Sequence, residues 1–296
     1  MDIGYACSFT VDRVVHAGRE WVQPGGPALY SALAAKSMGV RPVVYSAVGF
    51  DFLGVWLKKL RMLGVDVGRV GRVGTGLTTM FTITFNPPPR RLYTFNALGL
   101  DAYFGRVNID EKYVYASFTF GEVGSEALHR IIEGRQVFLD VQGFARRTDA
   151  RGLVGVAQPR VSFEGVRFLK VSHDEVIGEH GIIRRAFEEG VSEVVVTRGG
   201  GGAEVHTRDD KYYCPALAKP VRHLNTLGAG DVFGSAYFVS RVGGLGVRES
   251  LATATVAAAL FIRRINAEPF FVLEVKKSHA ERVAAKRVLL EGGGAT

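Results

Sequence analysis

The chain has 296 residues, 47% of them hydrophobic and 22% charged, a size for one large domain or two modest ones and a composition that excludes a disordered or collagen-like chain. Lys and Arg number 37 against 29 Asp and Glu, a formal net charge of +8 that suits phosphate-bearing partners of any kind. The basic residues come singly or in pairs such as Arg90-Arg91, Arg146-Arg147 and Lys276-Lys277, without the dense basic stripe and interleaved aromatics of nucleic-acid binders, so no nucleic-acid partner is expected.

Apolar, β-rich runs at 3–9, 43–49, 114–120, 137–141, 166–171 and 193–197 read as strands. Their near-continuous hydrophobicity predicts central strands covered on both faces. Helical patterns lie between them at 28–38, 53–63, 125–132 and 182–188, and the last third reads as helical at 229–241, 247–264 and 274–290, with a fraying tail from 292. This alternation predicts an α/β fold, doubly wound around a mostly parallel sheet with helices on both faces. The whole chain, 1–296, reads as one domain.

Two stretches break the alternation. Residues 78–85 and 91–96 flank Pro87-Pro88-Pro89, with Phe81, Ile83 and Phe85 on one alternation and Tyr93 and Phe95 on another. They predict a β-hairpin with a single apolar face, and 12–22 predicts a second strand pair. Together, segments 12–22 and 76–98 are expected to form a small β-sheet lid. An apolar face of that size would close over a substrate or pack against a second subunit, giving a homodimer through the lid.

Cys7 and Cys214 are too few for a disulfide framework or a metal cluster and read as small buried hydrophobes. The longest apolar run, 254–262, is far short of the ~20 residues that span a bilayer. No basic leader with a cleavage site precedes the first apolar run. A cytoplasmic protein without membrane partners is expected, and abundant Arg with scarce Asn and Gln fits a thermophilic source.

The segment His223-Leu224-Asn225-Thr226-Leu227-Gly228-Ala229-Gly230-Asp231-Val232-Phe233 carries the most chemistry. Small residues open a helix whose unpaired N–H groups and dipole favour an anion. Asp231 in that first turn fits a base that takes a proton from a hydroxyl attacking a phosphate. The alternative is a plain helix start with Asp as dipole partner.

Residues 225–231 resemble the Asp-Thr-x-Gly-Ala-Gly-Asp signature of the ribokinase-like, or PfkB family, carbohydrate kinases. Gly25-Gly26-Pro27-Ala28-Leu29-Tyr30-Ser31-Ala32-Leu33-Ala34 is similar to the family's Gly-Gly segment and its helix, and Val48-Gly49-Phe50-Asp51-Phe52-Leu53-Gly54 continues the pattern. The resemblance implies a ribokinase-like sheet with a lid and an ATP-dependent kinase acting on a hydroxyl of a small sugar or polyol. It implies Asp231 as catalytic base and the amides of Gly228, Ala229 and Gly230 as anion hole. Phosphoryl transfer needs such positioning and charge stabilisation more than covalent help.

For the acceptor, the resemblance implies Asp12, whose carboxylate accepts two hydroxyl hydrogen bonds, with Gly25, Gly26, Tyr30 and, more loosely, Glu122. Thr197-Arg198-Gly199-Gly200-Gly201-Gly202 resembles the nucleotide loop, which implies Thr197, Arg198, Gly199 and Gly202, with Thr226, as nucleotide contacts. Mg²⁺ is expected, ordered through water by Glu175 of Ser172-His173-Asp174-Glu175. The family's leading Asp is Asn225 here, which removes a countercharge, so dependence on a monovalent cation is doubtful. Asp140-Val141-Gln142-Gly143-Phe144-Ala145-Arg146, with Gln142 as an acceptor contact, looks most like archaeal inositol-type kinases. Ribose, ketohexose and nucleoside kinases are the alternatives, with Phe81 or Tyr93 as an aromatic wall for a base. A non-catalytic sugar- or nucleotide-binding protein is the alternative outside catalysis.

Overall fold

The computed structural model describes residues 1–16, 18–85, 90–175, 179–217, 226–264 and 269–292. In chain order the strands and helices are β1 (Asp2–Cys7), β2 (Thr10–His16), β3 (Arg19–Gly25), α1 (Pro27–Ser37), β4 (Arg41–Val48), α2 (Gly54–Met62), β5 (Val70–Arg72), β6 (Met80–Thr84), β7 (Arg91–Tyr93), α3 (Asp101–Phe104), β8 (Tyr113–Ser117), α4 (Ser125–Ile132), β9 (Gln136–Asp140), α5 (Gln142–Ala145), β10 (Arg146–Thr148), β11 (Val154–Val156), β12 (Val166–Ser172), α6 (Glu179–Glu188), β13 (Glu193–Thr197), β14 (Ala203–His206), β15 (Asp210–Cys214), α7 (Ala229–Val242), α8 (Val247–Arg264), α9 (Lys277–Arg287) and β16 (Leu289–Gly292).

The large sheet runs β16-β15-β14-β13-β12-β9-β8-β1-β4-β5. From β13 to β5 every pairing is parallel, as the apolar strands and their intervening helices predict. Alternation along the strands then divides the core in two. Tyr5, Cys7, Val44, Val48, Tyr115, Phe138, Phe168 and Val195 face α1, α7 and α8. Ala6, Val43, Tyr45, Val114, Val137, Leu139, Val194 and Val196 face α3, α4 and α6. Both faces of the sheet are covered, so the strand ends are where side chains reach open space.

Beyond β13 the structure departs from the sequence reading. β14, β15 and β16 continue the sheet antiparallel; the sequence reading assigns no element to the residues of β14 and β15. The expected helix at 274–290 stops at Arg287 and its end becomes β16. Short strands with polar outer faces carry a weak periodic signal. Residues 293–296 of the expected fraying tail lie outside the described residues.

A separate four-stranded sheet, β3-β2-β6-β7, occupies the place of the expected lid. Its outer strands are hairpin partners: Asp12 pairs with Gln23 in β2–β3, and Ile83 with Leu92 in β6–β7. That register corrects the expected apolar face. Paired residues share a face, so Leu92 joins Phe81 and Ile83, while Tyr93 lies opposite Thr82 and faces the other way. Phe95 is 83% exposed, whereas Phe81 and Ile83 are buried. The larger part of that face therefore turns inward, which removes the ground given for covering it with a second subunit.

Candidate active site

A cavity of about 870 Å³ opens at the C-terminal ends of β1, β8, β9, β12 and β13, beneath the small sheet. At one end Asp12, Phe81, Ile83, Leu92 and Arg90 of the small sheet and its β6–β7 connection line it, with Thr119, Gln142 and Arg146. At the other end lie Thr197, Gly199, Gly200 and Gly202, with Ala216, Leu217 and the α8 residues Thr255, Ala258, Ala259 and Ile262. Between the ends sits the start of α7, with Thr226, Gly228, Ala229, Gly230 and Asp231.

The start of α7 is fixed by one glycine. Gly228 takes a left-handed conformation, φ 80°, as the residue that opens the helix. A Cβ there would stand 2.4 Å from the ring of Tyr30. Backbone geometry and the close approach of α1 both demand glycine. The first turn then presents its N–H groups to the cavity. The amide of Ala229 donates to the Thr226 carbonyl at 3.1 Å, so of the three expected anion-hole amides this one is turned into the 226–229 turn. Asp231, one turn along, accepts a hydrogen bond on Oδ1 from Gln142 Nε2 at 3.3 Å.

Asp12 lies on β2 against the glycines of β3. Thr10 Oγ1 donates to its Oδ1 at 2.7 Å. A Cβ on Gly25 would overlap its carboxylate at 2.0 Å, and one on Gly26 would meet the Ser8 carbonyl at 2.6 Å. Gly26 lines the cavity, whereas Gly25 is the floor on which Asp12 rests. Burial lifts Asp12 to about 7, opposed by the Thr10 hydroxyl and by the charges of Arg90 and Arg146. Tyr30 is also raised well above its ordinary value, by burial and then by the charges of Asp12 and Asp231.

Two expected contacts have other roles. Glu122 is buried and accepts from the Thr119 amide at 2.9 Å, the Phe120 amide at 2.6 Å and the Thr119 hydroxyl. It does not line the cavity but fixes Thr119, which does. Arg198 turns away to Glu179 at 2.6 Å and Glu204 at 3.1 Å, so it ties the glycine loop to α6 and β14. The side chain of Glu175 and the whole of Asn225 lie outside the described residues. Ser172 and Asp174 of the same motif do line the cavity. They present hard oxygen donors at the end of β12, a set that suits Mg²⁺ retaining most of its waters.

Lys170, near the C-terminal end of β12, was not among the expected site residues. Its Nζ binds Asp140 Oδ2 at 2.6 Å with both side chains nearly inaccessible, and it lines the cavity beside Gly230. A lysine inside Phe168-Leu169-Lys170-Val171 was the signal in the sequence, since a buried charge needs a partner. Arg90, Leu92, Val154 and Val156 also line the cavity, and neither short strands nor a hairpin connection announce such a role.

Residues 164–271 match the pfkB family of carbohydrate kinases. Over that stretch the chain is similar to this family. This segment holds β12 to α8, and so the start of α7 and the glycine-loop side of the cavity. The architecture is the ribokinase fold. A pyrophosphate-dependent kinase in the ribokinase family, complexed with a pyrophosphate analog and myo-inositol, superposes with a TM-score of 0.72 at 16% identity, over 96% of this chain and all of that one. The nucleoside kinase of Methanocaldococcus jannaschii, an archaeal member of the ribokinase family, gives 0.70 at 17% identity over 97% and 98%. An uncharacterized sugar kinase of Pyrococcus horikoshii in complex with ATP gives 0.70 at 17% over 95% and 99%. Among the described residues no helix is long and apolar enough to cross a membrane.

Proposed function

We propose that the protein transfers the terminal phosphoryl group of ATP to a hydroxyl of a small sugar or polyol. The observation that carries this reading is Asp231. It stands in the first turn of α7, on the same cavity as Asp12 and between the glycine loop and the small sheet. In this reading the carboxylate takes the acceptor hydroxyl proton as the acceptor oxygen bonds to phosphorus. The bond from phosphorus to the bridging oxygen of ATP breaks, and ADP leaves with that electron pair. First-turn amides of α7 hold the oxygens of the group in flight. Mg²⁺, when bound, neutralises phosphate charge, and Ser172 and Asp174 would hold it through water.

ATP rather than pyrophosphate is favoured by the donor end. Ala216, Leu217, Ala258, Ala259 and Ile262 make an apolar slot beside the glycine loop, which suits a flat base and has no use for a bare diphosphate. Asp12 and Thr119 offer hydroxyl partners at the acceptor end, as an inositol-like polyol would need. A nucleoside acceptor is the second reading, favoured by the wall of Phe81, Leu92, Val154 and Val156.

Initial rates with ATP and with pyrophosphate, each against myo-inositol, ribose, fructose and adenosine, test these readings together. Turnover with ATP and a polyol or sugar is expected. Turnover with adenosine alone selects the second reading, and no turnover that Asp231→Asn abolishes would sink both.

A further inference from the structure

Gln142 opens α5 directly after β9 and is only 8% exposed. Its amide is committed on both ends. Nε2 donates to Ser117 Oγ at 3.1 Å and to Asp231 Oδ1 at 3.3 Å. Oε1 accepts from Arg146 Nη2 at 3.0 Å. A guanidinium carries donors only, so the amide end that faces it must be the oxygen. Arg146, buried as well, is held by the Thr119 carbonyl at 3.1 Å, and Thr119 is held by Glu122. A chain of defined polarity thus runs from Glu122 to the α7 carboxylate.

We propose that Gln142, with its amide locked by Arg146, is a positioning residue for Asp231 rather than an acceptor ligand. The inference rests on the reading of Asp231 as base. An N–H directed at a carboxylate favours the ionised form that can receive a proton and holds the carboxylate in one rotation. An amide turned end over end would set two oxygens against each other, and Arg146 opposes that turn. At 3.3 Å the contact has room to tighten when substrate fills the site, as catalytic hydrogen bonds do. Other groups that act on Asp231 are Cys7 of β1, Tyr30 of α1 and Tyr115 of β8, with the Lys170–Asp140 pair close by. Burial drives the three protonated groups upward, so none of them titrates on the acid side.

The test uses Gln142→Leu, which removes the donor, and Gln142→Glu, which keeps the shape and replaces N–H by oxygen. Both should move the acid limb of the kcat–pH profile upward by about one unit, Glu more than Leu, with the KM for ATP unchanged. Arg146→Met should move it less. A carboxyl ¹³C titration of Asp231, assigned by its loss in Asp231→Asn, should show the same upward displacement without any turnover. A higher acceptor KM with an unmoved limb and midpoint overturns the proposal and returns Gln142 to the acceptor. A displaced midpoint in a protein that turns over no substrate leaves the coupling standing and removes the kinase reading alone. If the Leu variant does not fold, the Glu variant decides by the same two readouts.

Discussion

At one end of the cavity the lining is side chain; at the other it is mostly backbone and small apolar groups. Asp12, Arg90, Thr119 and Arg146 line the end proposed for the acceptor. Glycines 199, 200 and 202 with Ala258 and Ala259 line the end proposed for the donor, and Gly228 and Gly230 lie where the ends meet. The difference follows from what each end would hold. Phosphate oxygens present the same demand in every nucleotide, and amides can meet it. Hydroxyl arrays differ between acceptors, and only replaceable side chains can follow them. The donor end is thus constrained by space and the acceptor end by chemistry.

The hardest way to break the contrast is at the junction. Asp231→Asn should lower kcat by roughly 10²–10⁴-fold, the usual range for loss of a general base. ATP affinity measured by calorimetry should stay, because the amides remain; a near-normal kcat would remove the base from Asp231. Next, Lys170→Ala leaves Asp140 buried without its ammonium partner, and should cost about 3–5 kcal/mol in denaturant unfolding. A cost under 1 kcal/mol would show the pair to be solvated.

Gly228→Ala sharpens the spatial side of the comparison. It sets a methyl against the Tyr30 ring at a positive φ and should cost about 1–3 kcal/mol. The KM for ATP should rise more than the acceptor KM. The remaining test belongs to the chemical side. Asp12 sits at about 7 against an ordinary 3.8 because burial disfavours its charge. Between those values the folded chain keeps a proton that the unfolded chain has lost, so stability falls as pH rises through that window. Asp12→Asn should erase this trend in melting temperature measured from pH 4 to 8. In the native protein the acceptor KM should fall as pH rises through 7, since only the carboxylate accepts two hydroxyls; a flat profile would detach Asp12 from the acceptor.

The parallel half of the fold was legible because its strands are buried on both faces and read as unbroken apolar runs. The first five predicted helices fell within a few residues of α1, α2, α4, α6 and α7, and 247–264 is α8. The antiparallel edge was not legible, since Ala203–His206 and Asp210–Cys214 mix polar and apolar residues without a clean period. In the site, Asp12, singled out by resemblance, and the 226–231 turn, singled out by its small residues, line one cavity. The roles of Arg198 and Glu122 were not readable, because a side chain's direction depends on partners distant in sequence or on a local turn. For Arg198 those are Glu179 and Glu204, and for Glu122 the Thr119 turn. The face of Tyr93 was misread because the hairpin register, not the alternation alone, decides it.

The helix that carries Asp231 is bolted to the layers beneath it. Ser235 donates to the Ser31 carbonyl at 2.7 Å and meets Tyr5 Oη at 2.8 Å, and Tyr237 and Arg241 both bind Glu193. A Cβ on Gly234 would stand 2.6 Å from Tyr115 Oη. In mechanical language α7 is an anvil, and any jaw must be the four-stranded sheet. If the proposed acceptors differ in size, the small sheet rather than α7 is the wall with room to adapt. An engineer who wants a wider acceptor range should recut Leu92 of that sheet and Val154 and Val156 of the neighbouring β11, which line the cavity with it, and leave every residue of α7 alone.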